Sequence, residues 1–152
     1  MDKIKKFVRQ FVDKHRFDFT DVHKLGRKYF LIHKQLLEMK GKINKDIYAA
    51  GLFLGEDRQE FKPSPALIEM IAEKSTRKAV INKNSEWLFL CGRDVFSTSV
   101  IASAVNDGLV LVQNEEDENL GYGKIIRKGN SLWIKNLLDR GSYLRQEQAK
   151  KK

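Results

Sequence analysis

One cysteine, two prolines and three histidines in 152 residues leave little room for several kinds of chemistry. Cys91 has no second cysteine to pair with, and a lone thiol suits a reducing compartment, so a cytoplasmic location is expected. Between Leu90 and Gly92 it reads as a small buried apolar group rather than a nucleophile. His15, His23 and His33 stand 8 and 10 residues apart, with no cysteine or second histidine at ligand spacing, and no metal site is expected. No glycine-rich run leads into Lys-Ser or Lys-Thr. Gly121-Tyr122-Gly123 lacks the third glycine of a dinucleotide loop, because Ile126 stands there. Asp94 and Asp139 would serve as an acid–base pair if they met, but beside Arg93 and Arg140 they read as structural ion pairs. No catalytic residue and no cofactor is expected. The longest apolar run, Ile47 to Leu54, is 8 residues, against the roughly 18 that a membrane-spanning helix requires. The opening Asp2, Lys3, Lys5 and Lys6 leave no uninterrupted apolar stretch for a secretory signal, and no membrane partner is expected.

What is present is a foldable, basic chain. Apolar residues make up 41%, and a chain of this length buries about two-thirds of its unfolded surface, enough for one core or two small ones. The net charge of +9 is unevenly distributed. Residues 1–45 hold 13 basic and 5 acidic side chains, 46–84 hold 6 of each, 85–123 hold 1 and 7, and 124–152 hold 9 and 2. Two basic ends around an acidic middle form the footprint of a polyanion binder if both ends meet on one face; otherwise the lysines are solvated decoration.

Ile4, Phe7, Val8, Phe11 and Val12 recur at helical spacing, predicting a helix over 3–16 that packs on a sheet. Lys28–His33 reads as a strand, Gln35–Lys42 as a helix, and Ile47–Leu54 as a central strand ended by Gly55, Glu56 and Asp57. Ser64 and Pro65 suit the start of a helix through Ile71. Lys78–Ile81 reads as a strand and Asn82–Ser85 as a polar turn at a domain boundary. Beyond it, Glu86–Leu90, Leu109–Gln113 and Leu120–Arg127 read as strands, Ser97–Asn106 as a short helical segment, Asn114–Asn119 as an acidic turn, and the last residues as a frayed basic tail. Regularly spaced strands with turns between them point to a small barrel. The expected fold is α+β: an α/β domain over 1–84, a β pseudobarrel over 85–149 and a basic tail over 150–152.

The late stretch carries what a single RNA strand needs. Lys124, Arg127, Lys128, Lys135, Arg140 and Arg145 would meet phosphates, and Tyr122, Trp133 and Tyr143, interleaved with them, offer flat faces for unpaired bases. Strand alternation puts Tyr122, Lys124, Ile126 and Lys128 on one face, while Trp133, between Leu132 and Ile134, reads as core. Five phosphate contacts would give a log-affinity slope of roughly −3.5 against log salt.

Three motifs, EWLFLCGRDVF (86–96), NLGYGK (119–124) and NLLDRGSYLRQE (136–147), resemble those of a PUA domain, an RNA-binding module. With AGLFLGE (50–56), ALIEMIAE (66–73) and KAVIN (78–82), the order and spacing are similar to those of the Nip-seven family of large-subunit ribosome-biogenesis factors, in its archaeal-type form. The resemblance implies a non-catalytic, cofactor-free monomer that binds pre-rRNA, single-stranded or structured, and meets pre-ribosomal assembly proteins; a eukaryotic source would make it nucleolar. It also implies RNA-facing positions at Lys124, Arg127, Lys128, Lys135, Arg140, Tyr143 and Arg145. The alternatives are an RNA-modification enzyme, or its accessory subunit, that holds substrate RNA through this module, and a pure protein adaptor.

Overall fold

The computed structural model describes residues 2–43, 45–47 and 49–150, apart from the side chains of Tyr143 and Lys150. The chain divides into two compact units, Met1–Lys74 and Ser75–Lys152. The division falls before the strand Lys78–Ile81 and not after residue 84, because that strand pairs within the sheet of the second unit.

In the first unit, α1 (Lys3–Val8) buries Ile4, Phe7 and Val8. The helix ends well before residue 16, yet its apolar stripe continues through buried Phe11 and Val12 in the turns that follow. Four antiparallel strands run in spatial order β1 (Val22–Leu25), β2 (Lys28–Leu31), β3 (Leu52–Asp57) and β4 (Phe61–Pro63). A short helix, α2 (Lys34–Lys40), lies between β2 and β3. The Phe7 ring packs 5.4 Å from Phe61, which joins α1 to β4. Ser64 caps α3 (Pro65–Ala72) by accepting from the Leu67 amide at 3.1 Å, and Pro65 fills the first turn, where its missing N–H costs nothing. Leu67, Ile68 and Ile71 are fully buried.

The apolar run 47–54 is not the central strand as bounded. Gly51 adopts φ +73 with its Cα against the Leu31 carbonyl, which breaks the extended chain, and β3 starts one residue later. Gly55, Glu56 and Asp57 lie inside β3 because partners on both sides, β2 and β4, take up their backbone hydrogen bonds.

The second unit is a curled five-stranded sheet in the order β6 (Val100–Ser103), β5 (Lys78–Ile81), β7 (Leu109–Gln113), β8 (Asn119–Lys128) and β9 (Ser131–Asp139). Only β5 and β7 are parallel. A reciprocal backbone bridge between Val95 and Ile134, at 2.8 and 3.0 Å, ties the segment after α4 (Lys83–Leu90) to β9. Ala79, Ile81, Phe89, Val95, Val110, Val112, Leu120, Ile125 and Ile134 form the core. Helix α5 (Ser142–Lys150) follows β9 and takes in Lys150, the first residue of the expected tail; Lys151 and Lys152 lie outside the described residues.

Three readings here change. Asn82–Ser85 is not a turn but a helix start: the Asn82 side chain accepts from the Ser85 amide at 3.0 Å. Glu86–Leu90 is accordingly helical, with Ser85 and Phe89, four residues apart, as its buried face. The segment 97–106 forms one 3-10 turn, Ser97–Ser99, and then the edge strand β6.

Candidate nucleic-acid interface

The longest pairing in the protein, β8 with β9, forms a hairpin closed by the two-residue loop Gly129-Asn130. Side chains alternate across it. Ile125 and Ile134 point into the core, while Lys124, Ile126 and Lys128 lie opposite Lys135, Trp133 and Ser131 on the outer face. Lys124 and Lys135 are direct cross-strand partners, with Cα atoms about 4.5–5.5 Å apart. Two like charges in that position repel, which costs roughly 0.2–1 kcal/mol in the absence of an anion. Among the described residues, Lys124, Lys128 and Lys135 have no carboxylate partner.

Aromatic surface lies within the same face. The Lys128 ammonium sits 4.3 Å from the centre of the Trp133 ring, and exposed Phe96 meets that ring edge-on at 4.7 Å. Trp133 is half-buried on the outer face and not in the core. Its position was missed because the apolar neighbours Leu132 and Ile134 masked the alternation; counting in steps of two from Ser131 would have shown it. Phe96 carried no such signal, since only the Val95–Ile134 bridge brings it to the hairpin.

The remaining expected residues divide. Arg127, on the other parity of β8, is exposed and its Nε donates to the Asn106 carbonyl at 3.3 Å. Arg140 is exposed just beyond β9, where its amide donates to the Leu120 carbonyl at 2.9 Å. Tyr122, at 7% exposure, offers no base platform; it sits beside a bulge where β9 carries an extra residue, Leu137. The Tyr143 side chain lies outside what is described.

Arg145 does not face a ligand. Its guanidinium forks onto Asp139 at 3.0 and 2.8 Å and donates to the Leu90 carbonyl, fastening α5 to the end of α4. The pair holds the Arg145 proton more firmly than usual, chiefly through the hydrogen bonds that Arg145 donates to Asp139. Asp139, 2% exposed, also accepts from the Asn136 side-chain amide at 3.2 Å, and Asn136 in turn donates its backbone N–H to Asp94 at 2.9 Å. Asp94 and Asp139 thus converge on Asn136, and the arginine partner of Asp139 is Arg145, not Arg140. A Cβ on Gly141 would collide with the Leu90 carbonyl, so this clasp also demands the glycine of the 136–147 motif.

The acidic turn stands apart from the basic face. Asn114 Oδ1 accepts from the Glu116 and Glu118 amides, Glu115 accepts from the Lys83 amide at 3.1 Å, and Asp117 lies 3.7 Å from Lys78. The turn joins β8 at Asn119, and the hairpin tip is ten residues away, about 30 Å along the strand. Cys91 is exposed, contrary to the buried role expected of it, because the chain leaves α4 there. Among the described residues no cluster of His, Cys, Asp and Glu suits a metal ion, and no helix is long and apolar enough to cross a membrane. In the first unit, Lys3 is held by the carbonyls of Arg58 and Gln59 on the β3–β4 turn.

A mixed sheet curled into a half-barrel, with one parallel pair and a helix fastened to it by Arg145, gives the chain an α+β fold similar to that of PUA-domain proteins. Residues 77–148 match the family model described as the UPF0113 PUA domain. The chain is 29% identical to a UPF0113 protein of Archaeoglobus fulgidus, over 80% of this chain and 84% of the relative. Its fold is similar to that of a conserved PUA domain protein from Thermoplasma acidophilum, at TM-score 0.58 and 12% identity over 97% of this chain and 96% of that one. A hypothetical protein from Pyrococcus horikoshii OT3 is similar at TM-score 0.51 and 12% identity, over 95% and 96%.

Proposed function

We propose that the protein is a non-catalytic, cytoplasmic RNA-binding factor that acts as a monomer in assembly of the large ribosomal subunit, gripping pre-rRNA on the outer face of the β8–β9 hairpin. The observation that carries this reading is the opposed pair Lys124 and Lys135, with Lys128 and Trp133 beside them and no carboxylate to neutralise them among the described residues. An RNA strand supplies both missing partners: phosphates for the ammonium groups and bases for the aromatic surface. The similarity to UPF0113 and PUA-domain proteins supports the choice of RNA over other polyanions. The first unit is assigned to contacts with assembly proteins.

The three lysines give three phosphate contacts and a slope of about −2.1 for log affinity against log salt. Titration of a labelled single-stranded rRNA fragment at several salt concentrations measures it. Replacing Lys124→Glu and Lys135→Glu together removes two contacts and reduces the slope to about −0.7. Affinity that is flat in salt, or indifferent to this double substitution, overturns the proposal.

A further inference from the structure

Helix α2 is anomalous within the first unit. It buries none of its residues, and its N-cap residue, His33, makes no side-chain capping bond. A free helix of two turns is marginal in water and ordinarily draws its stability from a packed apolar face. Here that face is turned outward: Leu36, Met39 and Ile43 recur at helical spacing and are 45%, 60% and 50% exposed. Beside the helix lies a cavity of about 340 Å³ whose apolar lining is Leu25, Ile43 and Ile47 and whose charged lining is Lys24, Lys40, Lys45 and Asp46, with Lys24 already paired to Asp57. Apolar surface rimmed by charge marks a site of interaction.

The rim identifies the occupant. Between residues 34 and 46 there are four lysines, Lys34, Lys40, Lys42 and Lys45, against two carboxylates, Glu38 and Asp46, so the rim stays basic. A partner that covers the Leu36–Met39–Ile43 stripe must therefore bring carboxylates to its flanks. The stripe holds no aromatic ring on which a base could stack, and a helix of 7 residues without Trp or Phe is a poor anchor in a lipid interface. We infer that this face receives an acidic amphipathic helix of a partner protein, with aliphatic residues of that helix on the stripe and its Asp or Glu side chains against Lys34, Lys40, Lys42 and Lys45. The site lies in the first unit and its residues are separate from the β8–β9 hairpin, so it stands whether or not the hairpin binds RNA.

The probe is a synthetic helical peptide with leucine at positions i, i+3 and i+7 and glutamate on its flanks, followed by fluorescence anisotropy and by hydrogen exchange of the full-length protein. Saturable binding with slowed exchange at residues 34–43 is the expected result, and Leu36→Asp with Met39→Asp should weaken it about tenfold or more. Lys40→Glu with Lys42→Glu, which leaves every apolar contact in place, should weaken it comparably and guards against a folding defect in the first variant. Binding that does not saturate, that survives both double substitutions, or that is matched by anionic phospholipid vesicles or a homopolymer RNA at the same residues overturns the inference. RNA affinity through the hairpin should be unchanged by either double substitution.

Discussion

Replacing Arg145 with alanine separates a structural arginine from an RNA-binding one. In the folded protein Arg145 gives Asp139 two hydrogen bonds, at 3.0 and 2.8 Å, and also holds the Leu90 carbonyl. Asp139 is 2% exposed, and after Arg145→Ala it keeps only the Asn136 amide at 3.2 Å. Removing one partner of a buried pair costs about 3–5 kcal/mol, because the remaining charge stays buried without compensation. Arg145 is itself 41% exposed, so water can enter the vacated space, and the lower figure of about 3 kcal/mol applies. For a domain of this size that loss lowers Tm by about 12–24 °C. Thermal and urea unfolding followed by far-UV circular dichroism measure it. Arg145→Lys retains the charge but not the fork, and should fall between wild type and alanine. RNA affinity, measured well below the midpoint, should remain within about twofold of wild type. A variant of full stability with lost RNA affinity refutes the reasoning and returns Arg145 to the interface.

Two further outcomes are expected. Trp133→Ala should weaken single-stranded RNA binding by about 1–3 kcal/mol, the contribution of one stacked base, read as a shift in the anisotropy titration; its edge-on contact with Phe96 is worth only about 0.5–1.5 kcal/mol to stability. In the first unit, burial raises the Asp57 pKa, but hydrogen bonds from Lys24 at 2.6 Å and Tyr29 at 3.2 Å outweigh it and hold the carboxyl below its usual value. A depressed folded pKa contributes stability that is full above the unfolded value, near 4, and is lost as pH falls through the folded value. Urea midpoints measured from pH 6 downward should therefore fall through that range in the wild type and flatten in Asp57→Asn; an identical pH profile in the two proteins refutes the assignment.

Local chemistry made much of the fold legible. Ser64-Pro65 announced α3, the short apolar runs Lys78–Ile81 and Leu109–Gln113 announced β5 and β7, and β8 read as a strand, because caps and pleats act within a few residues. The failures arose where a distant partner decides. Five residues of Glu86–Leu90 fit a strand as well as a helix, and the deciding groups are the Asn82 cap and the burial of Phe89 against the sheet. That Lys124 and Lys128 share one face of β8 was legible because strand alternation acts within a few residues; that Lys135 stands opposite Lys124 was not, because it depends on the register of β9. The role of Arg145 was not legible either, because the carboxylate that claims it lies six residues earlier at the end of another element, a separation that no helical or strand period connects. Trp133 sits among apolar neighbours, and composition alone assigned it to the wrong side of the sheet.

The parallel pairing of β5 with β7 has a consequence for how the second unit is made. During synthesis β5 leaves the ribosome first among the five strands, yet it must wait for β7, some thirty residues later, before it gains a neighbour on either side other than β6. The β8–β9 hairpin needs only its own two-residue loop and closes within microseconds of emerging. Because β5, β6 and β7 all precede the hairpin in the chain, the wall that supports the surface assigned to RNA is made first, and that surface is completed last, when β9 folds back on β8.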